Sequence, residues 1–467
     1  MASIYTLLGD QARLSEYDFQ ARPWQHSMVG ATERTIDAES PEARPGLDIS
    51  LRHLFVFMAV AQAGSVAGAA EKLLRANSAI ARTISALESV LRVRLFDRHA
   101  RGMLINGYGR IVLQRAERIA QEFNAISKAL DARRTSAKGA GSRLVSSPLL
   151  NGRRLAIVAS LPERHSMAAV ARDCGVTPAA VSACLKDFEQ HLGVTLFDRS
   201  FKGFIPTDIG QVLTFHFWRS LAELRHIGSD LAAVEGTVQG IVRIGALPLG
   251  RTRILPRCIA SALARYPLLR IATVESPYHL LVAQLRSGEI DFVFGALRPA
   301  HETADLLQDA LFDDCVSVIA RRGHPFATRH GLTARDLQDA SWVLWRPESP
   351  SRENLRRCFS NAGLTPPQPS VETGDLAILR GVILHSDMLT AISADQLWNE
   401  IASGDLVVLP IDLGETRRSI GITQRRGALP SPGTRALLDE IRMQVYRMIK
   451  ERQLLPVTRR FSEETAR

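Results

Sequence analysis

Cysteine is scarce in this chain: five in 467 residues, at positions 174, 184, 258, 315 and 358, with no CxxC pair. Scattered singletons exclude a zinc-ribbon spacing and a disulfide framework, and read as buried thiols in a reducing compartment. Long apolar runs are also missing; none approaches the ~18–20 residues needed to cross a bilayer. The opening MASIYTLLGDQARLSE has no basic segment followed by an apolar core, so no signal peptide is read there, and a cytoplasmic protein without a membrane partner is expected. GxSxG, GxxxxGK[ST] and HExxH are all absent. The GAG at 139–141 lacks the third glycine of a dinucleotide fingerprint, and His385, Ser386 and Asp387 are neighbours in sequence, which does not make a triad. No enzyme, cofactor or metal site is expected. Acidic residues are outnumbered, 48 against 58 Lys and Arg, giving a net charge of +10. That excess favours a polyanionic partner without separating DNA from RNA or anionic lipid.

What the chain does have is a repeat. LFDRHARG at 95–102 returns as LFDRSFKG at 196–203, and one offset of 101 residues separates Ser65 from Ser166, Glu88 from Glu189, Arg98 from Arg199 and Gly109 from Gly210. A gapless repeat of that length is one folded unit present twice. In the second copy, Thr177 and Pro178 supply an N-cap followed by proline in the first turn. Val181, Leu185, Phe188 and Leu192 then form one apolar stripe, matched by Ile80, Ile84, Leu87 and Leu91 in the first copy. Shorter helices begin upstream at Ser65 and Ser166, so each copy predicts a helix-turn-helix whose second helix is amphipathic.

The outward side of that second helix carries Asn77, Ser78, Arg82 and Ser85 in copy one, and Thr177, Pro178, Ala179, Ser182, Ala183 and Lys186 in copy two. Small or polar residues near a helix start can enter a major groove and approach base edges. After LFDR, the turns Arg101-Gly102 and Lys202-Gly203 predict a β-hairpin wing, and Arg98, Arg101, Arg199 and Lys202 can rest on phosphates. A solvated surface on a helical interaction domain explains any one of these residues equally well. It explains the doubled constellation poorly.

Each wing runs into a long helix. Val112, Ala116, Ile119, Phe123, Ile126 and Leu130 alternate steps of four and three, as do Leu213, Phe217, Ser220, Leu224, Ile227 and Leu231. That spacing is a helix-pairing seam. Between the copies lies TSAKGAGSRLVSSPLLNG, a Gly/Ser-containing linker. From about residue 240 the texture changes to short β-rich runs alternating with helical stretches: GIVRIGA (240–246), LRIATVE (269–275), DFVFGA (291–296), CVSVIA (315–320), WVLW (342–345), MLTAIS (388–393), LVVLP (406–410) and SIGITQR (419–425), closed by a helix over 431–450. Alternation of this kind predicts βαβ units and a parallel sheet.

Both repeat units resemble the N-terminal winged helix-turn-helix of LysR-type transcriptional regulators, and residues 240–450 resemble that family's effector-binding domain. The likeness rests on AGSVAGAAEKL…LRVRLFDR, on VTPAAVSACLKDFEQHLGVTLFDR…GFIPTDIG, and on GIVRIGALPLGRTRILPRCIASALARYP followed by LRSGEIDFVFG. It implies a multidomain fold: two winged helix-turn-helix domains rich in α-helix, with long linker helices, then a two-lobed α/β domain of the periplasmic-binding-protein type. The expected divisions are an extension at 1–46, winged units at 47–107 and 153–208, linker helices at 108–133 and 209–236, a spacer at 134–152, the effector domain at 237–453 and a tail at 454–467. Family members usually carry one DNA-binding unit, so the second is a departure.

The resemblance implies a regulator that binds double-stranded DNA, answers to a small-molecule effector and assembles as a homo-oligomer, dimer or tetramer. In the family, linker helices of two subunits pair antiparallel. Here one chain owns both helices. A spacer over 134–155 could reach ~65–75 Å extended, against ~37 Å for a 25-residue helix, so pairing within one chain and pairing between chains both remain open. Copy two keeps Ser182 and Thr207, which fit the family pattern, where copy one has Ala81 and Asn106. Copy two is therefore expected to read an operator, and copy one to read a different half-site or to supply phosphate contacts. An effector is expected between two subdomains, beyond the strand ends, at Leu247, Pro248, Arg251, Thr252, Ser276, Leu297, Thr373, Gly374 and Ser393, where helix N-termini would suit a small carboxylate. The later part of the domain is most like members that answer to sugars or aromatic acids. The competing readings are a solute-binding protein and a DNA-organising protein without ligand control.

Overall fold

The computed structural model describes residues 48–99, 102–132, 151–200, 203–347, 349–411, 413–414, 416–451, 453–454 and 456. The expected extension, most of the spacer, the wing cations Arg101 and Lys202 and most of the tail lie outside these residues. The chain divides into two compact units, Met1–Thr237 and Val238–Arg467.

The first unit repeats one order of elements. Helices α1 (Leu51–Ala63), α2 (Val66–Leu73) and α3 (Asn77–Leu91) lead to strands β1 (Phe96–His99) and β2 (Gly102–Ile105), then to the long helix α4 (Gly107–Ala132). The same order returns as α5 (Gly152–Arg164), α6 (Met167–Cys174), α7 (Pro178–Leu192), β3 (Phe197–Ser200), β4 (Gly203–Pro206) and α8 (Asp208–Val234). Both hairpins are antiparallel, pairing Phe96 with Ile105 and Phe197 with Pro206. Internal buttresses recur too. Glu88 Oε1 accepts from the Leu95 amide and Glu189 Oε1 from the Leu196 amide, each at 2.8 Å. Gly109 and Gly210 press against the Leu95 and Leu196 carbonyl oxygens, where an added Cβ would sit 2.2 and 2.0 Å away. No larger residue fits, which is why glycine stands at both positions.

The copies differ at their turns. Thr177 caps α7, its hydroxyl accepting from the Ala180 amide, while α3 starts at Ala76 with no side-chain cap. The left-handed residues closing the second and third helices are Gly175 and Gly193 in copy two but Leu74 (φ 52°) and Arg92 (φ 58°) in copy one. Non-glycine residues pay about 1 kcal/mol or more in that conformation. After the first helix the asymmetry reverses, with Gly64 in copy one and His165 in copy two.

The second unit is an α/β domain of two lobes. Its first sheet has the order β6-β5-β7-β14-β8, from β5 (Gly240–Ala246), β6 (Leu269–Val274), β7 (Phe292–Ala296), β8 (Leu306–Asp314) and β14 (Arg418–Arg425). Between these strands run α9 (Pro248–Arg251), α10 (Ile254–Arg265) and α11 (Tyr278–Ser287). The second lobe holds β9 (Val316–Arg321), β10 (Val343–Leu344), α12 (Pro350–Asn361), β11 (Val371–Glu372), α13 (Leu376–Leu384), β12 (Thr390–Ser393), α14 (Trp398–Ser403) and β13 (Leu406–Val408). Helix α15 (Pro432–Lys450), capped by Ser431, returns to the first lobe and shares its core through Leu437, Leu438 and Ile441.

The expectation of a parallel sheet needs correction. β5 is parallel to β6 and β7, but β14 is antiparallel to both β7 and β8, and β9 is antiparallel to β12 and β13. The reason is the path of the chain. It leaves the first lobe after Asp314 and re-enters at Arg418 from the other side, so the returning strand runs against its neighbours. The cysteines also depart from the expectation in part: Cys174, Cys184 and Cys258 are buried, whereas Cys315 and Cys358 are half-exposed.

Candidate nucleic-acid interface and effector site

The apolar seams predicted on the long helices face each other within this chain. Val112, Ala116, Ile119, Phe123, Ile126 and Leu130 of α4 are buried in the same core as Leu213, Phe217, Leu224, Ile227 and Leu231 of α8. Phe123 and Phe217 lie 6.4 Å apart at the centre, flanked by Phe55 of copy one and Phe188 of copy two. The helices run antiparallel: Tyr108, at the start of α4, hydrogen-bonds Glu235 just beyond the end of α8, and Glu122 reaches His216.

The ion pairs across the seam are reciprocal. Glu223 receives Arg115 at 2.6 Å and Arg118 at 2.7 Å. Glu122, its repeat counterpart, receives His216 at 2.7 Å and Arg219 at 3.3 Å. Each pair maps onto the other by the 101-residue offset with the partners exchanged. Residues at positions 50 and 151 obey the same rule, since Ser50 and Asn151 form an antiparallel bridge with each other. Such exchange is the mark of an isologous twofold contact, here made by two copies in one chain. The symmetry is not complete: Arg115 also binds Asp230 at 2.6 Å, whereas the repeat equivalent of Asp230 is Ala129, and Tyr108, which binds Glu235, is replaced by Ile209 in copy two. Burial would lower the Arg115 pKa, yet hydrogen bonding to Asp230 and the charge of Glu223 raise it. Burial likewise pushes Glu223 up, and Arg115 and Arg118 outweigh it, holding the carboxylate below its usual range. The sequence reading had found the apolar seam and missed these flanking charges. Their signal was available as Arg-x-x-Arg-x-x-x-Glu at 115–122 and His-x-x-Arg-x-x-x-Glu at 216–223.

The candidate DNA-facing residues fall where the stripes predict. Ile80, Ile84, Leu87, Val181, Leu185, Phe188 and Leu192 are buried. On the other side of α3, Asn77, Ser78, Arg82 and Ser85 are exposed, as are Thr177, Pro178, Ala179, Ala183 and Lys186 at α7, with Ser182 half-buried. On the wings, Arg98 lies on β1 opposite Met103, and exposed Arg199 lies on β3 opposite Phe204, its guanidinium 5.8 Å from that ring. Both wings also expose an apolar side chain at one equivalent position, Leu104 and Ile205, which the sequence reading did not single out.

In the second unit, Leu247 is buried, its amide bound to the Phe294 carbonyl, and Pro248 begins α9. Arg251 turns its Nε onto the Ala246 carbonyl at 2.7 Å; burial lowers its pKa, with Glu275 opposing. Ser276 and Leu297 follow β6 and β7, and both are half-buried. Thr373 accepts from the Asp375 amide, and Gly374 lies under the Arg346 guanidinium, 3.0 Å from where a Cβ would be. Ser393 is fully buried; its hydroxyl donates to Asp314 and accepts from the Asp395 amide, so its polar capacity is already engaged where the lobes join. Arg418 completes that junction on Asp314 at 2.9 Å. A cavity of about 220 Å³ is lined by Thr252, Arg253, Arg380, Asp395, Trp398 and Glu400 among others, and Thr252 is the predicted residue it includes. Beside it Arg253 pairs with Asp395 at 2.7 Å and stacks 3.7 Å over Trp398. Burial raises the Asp395 pKa against the pull of Arg253. Among the described residues no group of three or more His, Cys, Asp or Glu could hold a metal, and no single helix is long and apolar enough to cross a membrane.

Comparison with known sequences gives the class of this two-unit arrangement. The profile for the LysR substrate binding domain matches residues 235–445, and that for the bacterial regulatory helix-turn-helix protein, lysR family, matches twice, at 51–110 and 153–211. The HTH-type transcriptional regulator GalR of Pseudomonas putida is 44% identical over 399 residues, 85% of this chain and 98% of that protein. A match of that extent necessarily crosses much of both repeat copies. PcaQ of Agrobacterium fabrum is 27% identical over 291 residues, 62% of this chain and 93% of that one. Among solved structures, a full-length OxyR variant from Pseudomonas aeruginosa shares 22% identity with a TM-score of 0.48, covering 63% of this chain and 95% of its own. The chain belongs to the LysR family of transcriptional regulators. It is a DNA-binding regulator with an effector-binding domain.

Proposed function

We propose that a single chain carries a complete two-headed reading unit. Each head places its third helix in a major groove and its wing cations on phosphates. The observation that carries this is the reciprocal exchange Arg115–Glu223 and His216–Glu122 between antiparallel α4 and α8. Twofold-related helices suit two half-sites in inverted orientation. Base contacts are assigned to Asn77, Ser78, Arg82, Ser85, Thr177, Pro178, Ala179, Ser182, Ala183 and Lys186, and phosphate contacts to Arg98, Arg101, Arg199 and Lys202.

The effector is a small molecule, a sugar or an aromatic acid, held between the lobes by Leu247, Pro248, Arg251, Thr252, Ser276, Leu297, Thr373 and Gly374. Arg251 and Arg346 favour the carboxylate of an aromatic acid. Ser393 acts by fixing the lobe junction through Asp314. Effector binding shifts the angle between the lobes, a hinge response that biases operator binding without catalysis. Chains associate further as a cytoplasmic homo-oligomer. Footprinting tests this: one chain should protect both halves of its site, with an affinity that falls steeply as salt rises. Protection of one half per chain would contradict it.

A further inference from the structure

The scaffold of the two heads is held in common while their reading faces are not. Glu88/Glu189, Phe96/Phe197, Asp97/Asp198, Arg98/Arg199, Gly102/Gly203 and Gly109/Gly210 are identical pairs that build buttress, wing and helix start. On the outward side of the third helix the candidate reading pairs differ, Ala76/Thr177, Asn77/Pro178, Ser78/Ala179, Ala81/Ser182, Arg82/Ala183 and Ser85/Lys186, while Ala79/Ala180 is shared. All of the differing residues except half-buried Ser182 are exposed, so packing within the unit does not dictate them.

We infer that the chain recognises an asymmetric operator, with a guanine- and adenine-read half under copy one and a thymine-methyl-read half under copy two. The inference rests on the two-headed reading above and deepens it. A protein whose two heads lie on separate identical chains presents the same face twice, and its preferred site is an inverted repeat. Here the two faces sit on one polypeptide and can diverge without duplicating the change. Arg82 is long and forked, suited to guanine O6 and N7, and Asn77 is suited to adenine N6 and N7. Copy two offers no such fork at its helix start. It presents the methyl groups of Ala179, Ala183 and Thr177, which suit the thymine C5 methyl, and a single cation one turn on at Lys186. The local backbone fits this division. Pro178 and the Thr177 cap make the start of α7 rigid and donor-poor, whereas α3 begins uncapped at Ala76, leaving Asn77 free of a capping role.

The test is selection of sites from a randomised duplex library with the full-length protein and two variants. The unmodified chain should select a site whose halves differ. Arg82→Ala should relax base preference in one half, with a loss on the order of tenfold or more on the selected site, and leave the other half unchanged. A graft carrying Thr177→Ala, Pro178→Asn, Ala179→Ser, Ser182→Ala, Ala183→Arg and Lys186→Ser, with its melting temperature checked, should convert the selected site into an inverted repeat of the first half. If the graft does not fold, Arg82→Ala alone decides, because its effect must be confined to one half. Selection of an inverted repeat by the unmodified protein, or relaxation of both halves by Arg82→Ala, overturns the inference and leaves the two-headed reading standing. Absence of salt-sensitive duplex binding by the unmodified protein overturns both.

Discussion

Arg115 and Glu223 stand 2.6 Å apart with 1% and 4% of their surfaces exposed, and their repeat counterparts His216 and Glu122 meet at 2.7 Å. Two copies of one unit thus hold each other by the same contact made twice, with stronger ions on one side. Glu223→Gln leaves Arg115 held by Asp230 but facing an uncharged amide, and takes from Arg118 the carboxylate it binds. A loss of about 3 kcal/mol, the lower end for a broken buried pair, is expected on denaturant unfolding. Glu122→Gln, at a more open position, should cost only about 1 kcal/mol. Equal costs would contradict the assigned asymmetry.

The same pair sets an acid response. The Glu223 carboxylate is held below the ordinary glutamate range by Arg115 and Arg118, against burial. A depressed folded pKa contributes stability that is present above the unfolded value and is lost as pH falls through the folded one. Thermal melting of the N-terminal unit should therefore weaken progressively below about pH 4.5. In Glu223→Gln that part of the pH dependence should be gone.

Gly109 and Gly210 give a steric prediction. A methyl group at either position would lie 2.2 or 2.0 Å from a backbone carbonyl oxygen, which no rotamer relieves. Gly210→Ala should force the start of α8 away from the Leu196 strand entry and cost about 1–3 kcal/mol or more. DNA affinity should fall with it, because the wing is hung from that junction. A neutral effect on melting would show that the close approach is not maintained in solution.

Reading and anchoring residues should separate by salt. Arg199→Ala removes one exposed wing cation, so affinity should fall alike on specific and random duplexes and the log–log salt slope should shrink by about 1. Ser182→Ala should change base preference and leave the slope intact. Identical losses from both variants on both duplexes would remove the distinction.

Much of this architecture could be read from residues alone, and the exceptions have physical causes. The stripes Ile80–Ile84–Leu87 and Val181–Leu185–Phe188–Leu192 place their helices because a 3.6-residue period has a single face to bury. GIVRIGA matches β5 end to end for a similar reason, being short, apolar and β-branched. β8 went unseen because LLQDALFDD carries the polar residues of a surface loop, yet Asp313 and Asp314 are buried by Ser419, Ser393 and Arg418, which only the returning chain supplies. The direction of β14 depends on that same return path, and no local period encodes it. Within the candidate site, the outward faces of α3 and α7 were legible from periodicity. The pairing of α4 with α8 was not, since an apolar seam is equally satisfied by a helix of another chain. The engagement of Ser393 by Asp314 was also invisible, because a serine after a strand looks the same whether it meets a ligand or a neighbouring carboxylate.

Pairing inside one chain is most directly tested at the bridge between positions 50 and 151. In a background without reactive native thiols, a chain carrying both Ser50→Cys and Asn151→Cys should oxidise to a species of single-chain mass at every protein concentration. Mixing chains that carry only Ser50→Cys with chains that carry only Asn151→Cys should give no covalent dimer. A covalent dimer from that mixture would show that the two copies pair between chains, and would contradict the account.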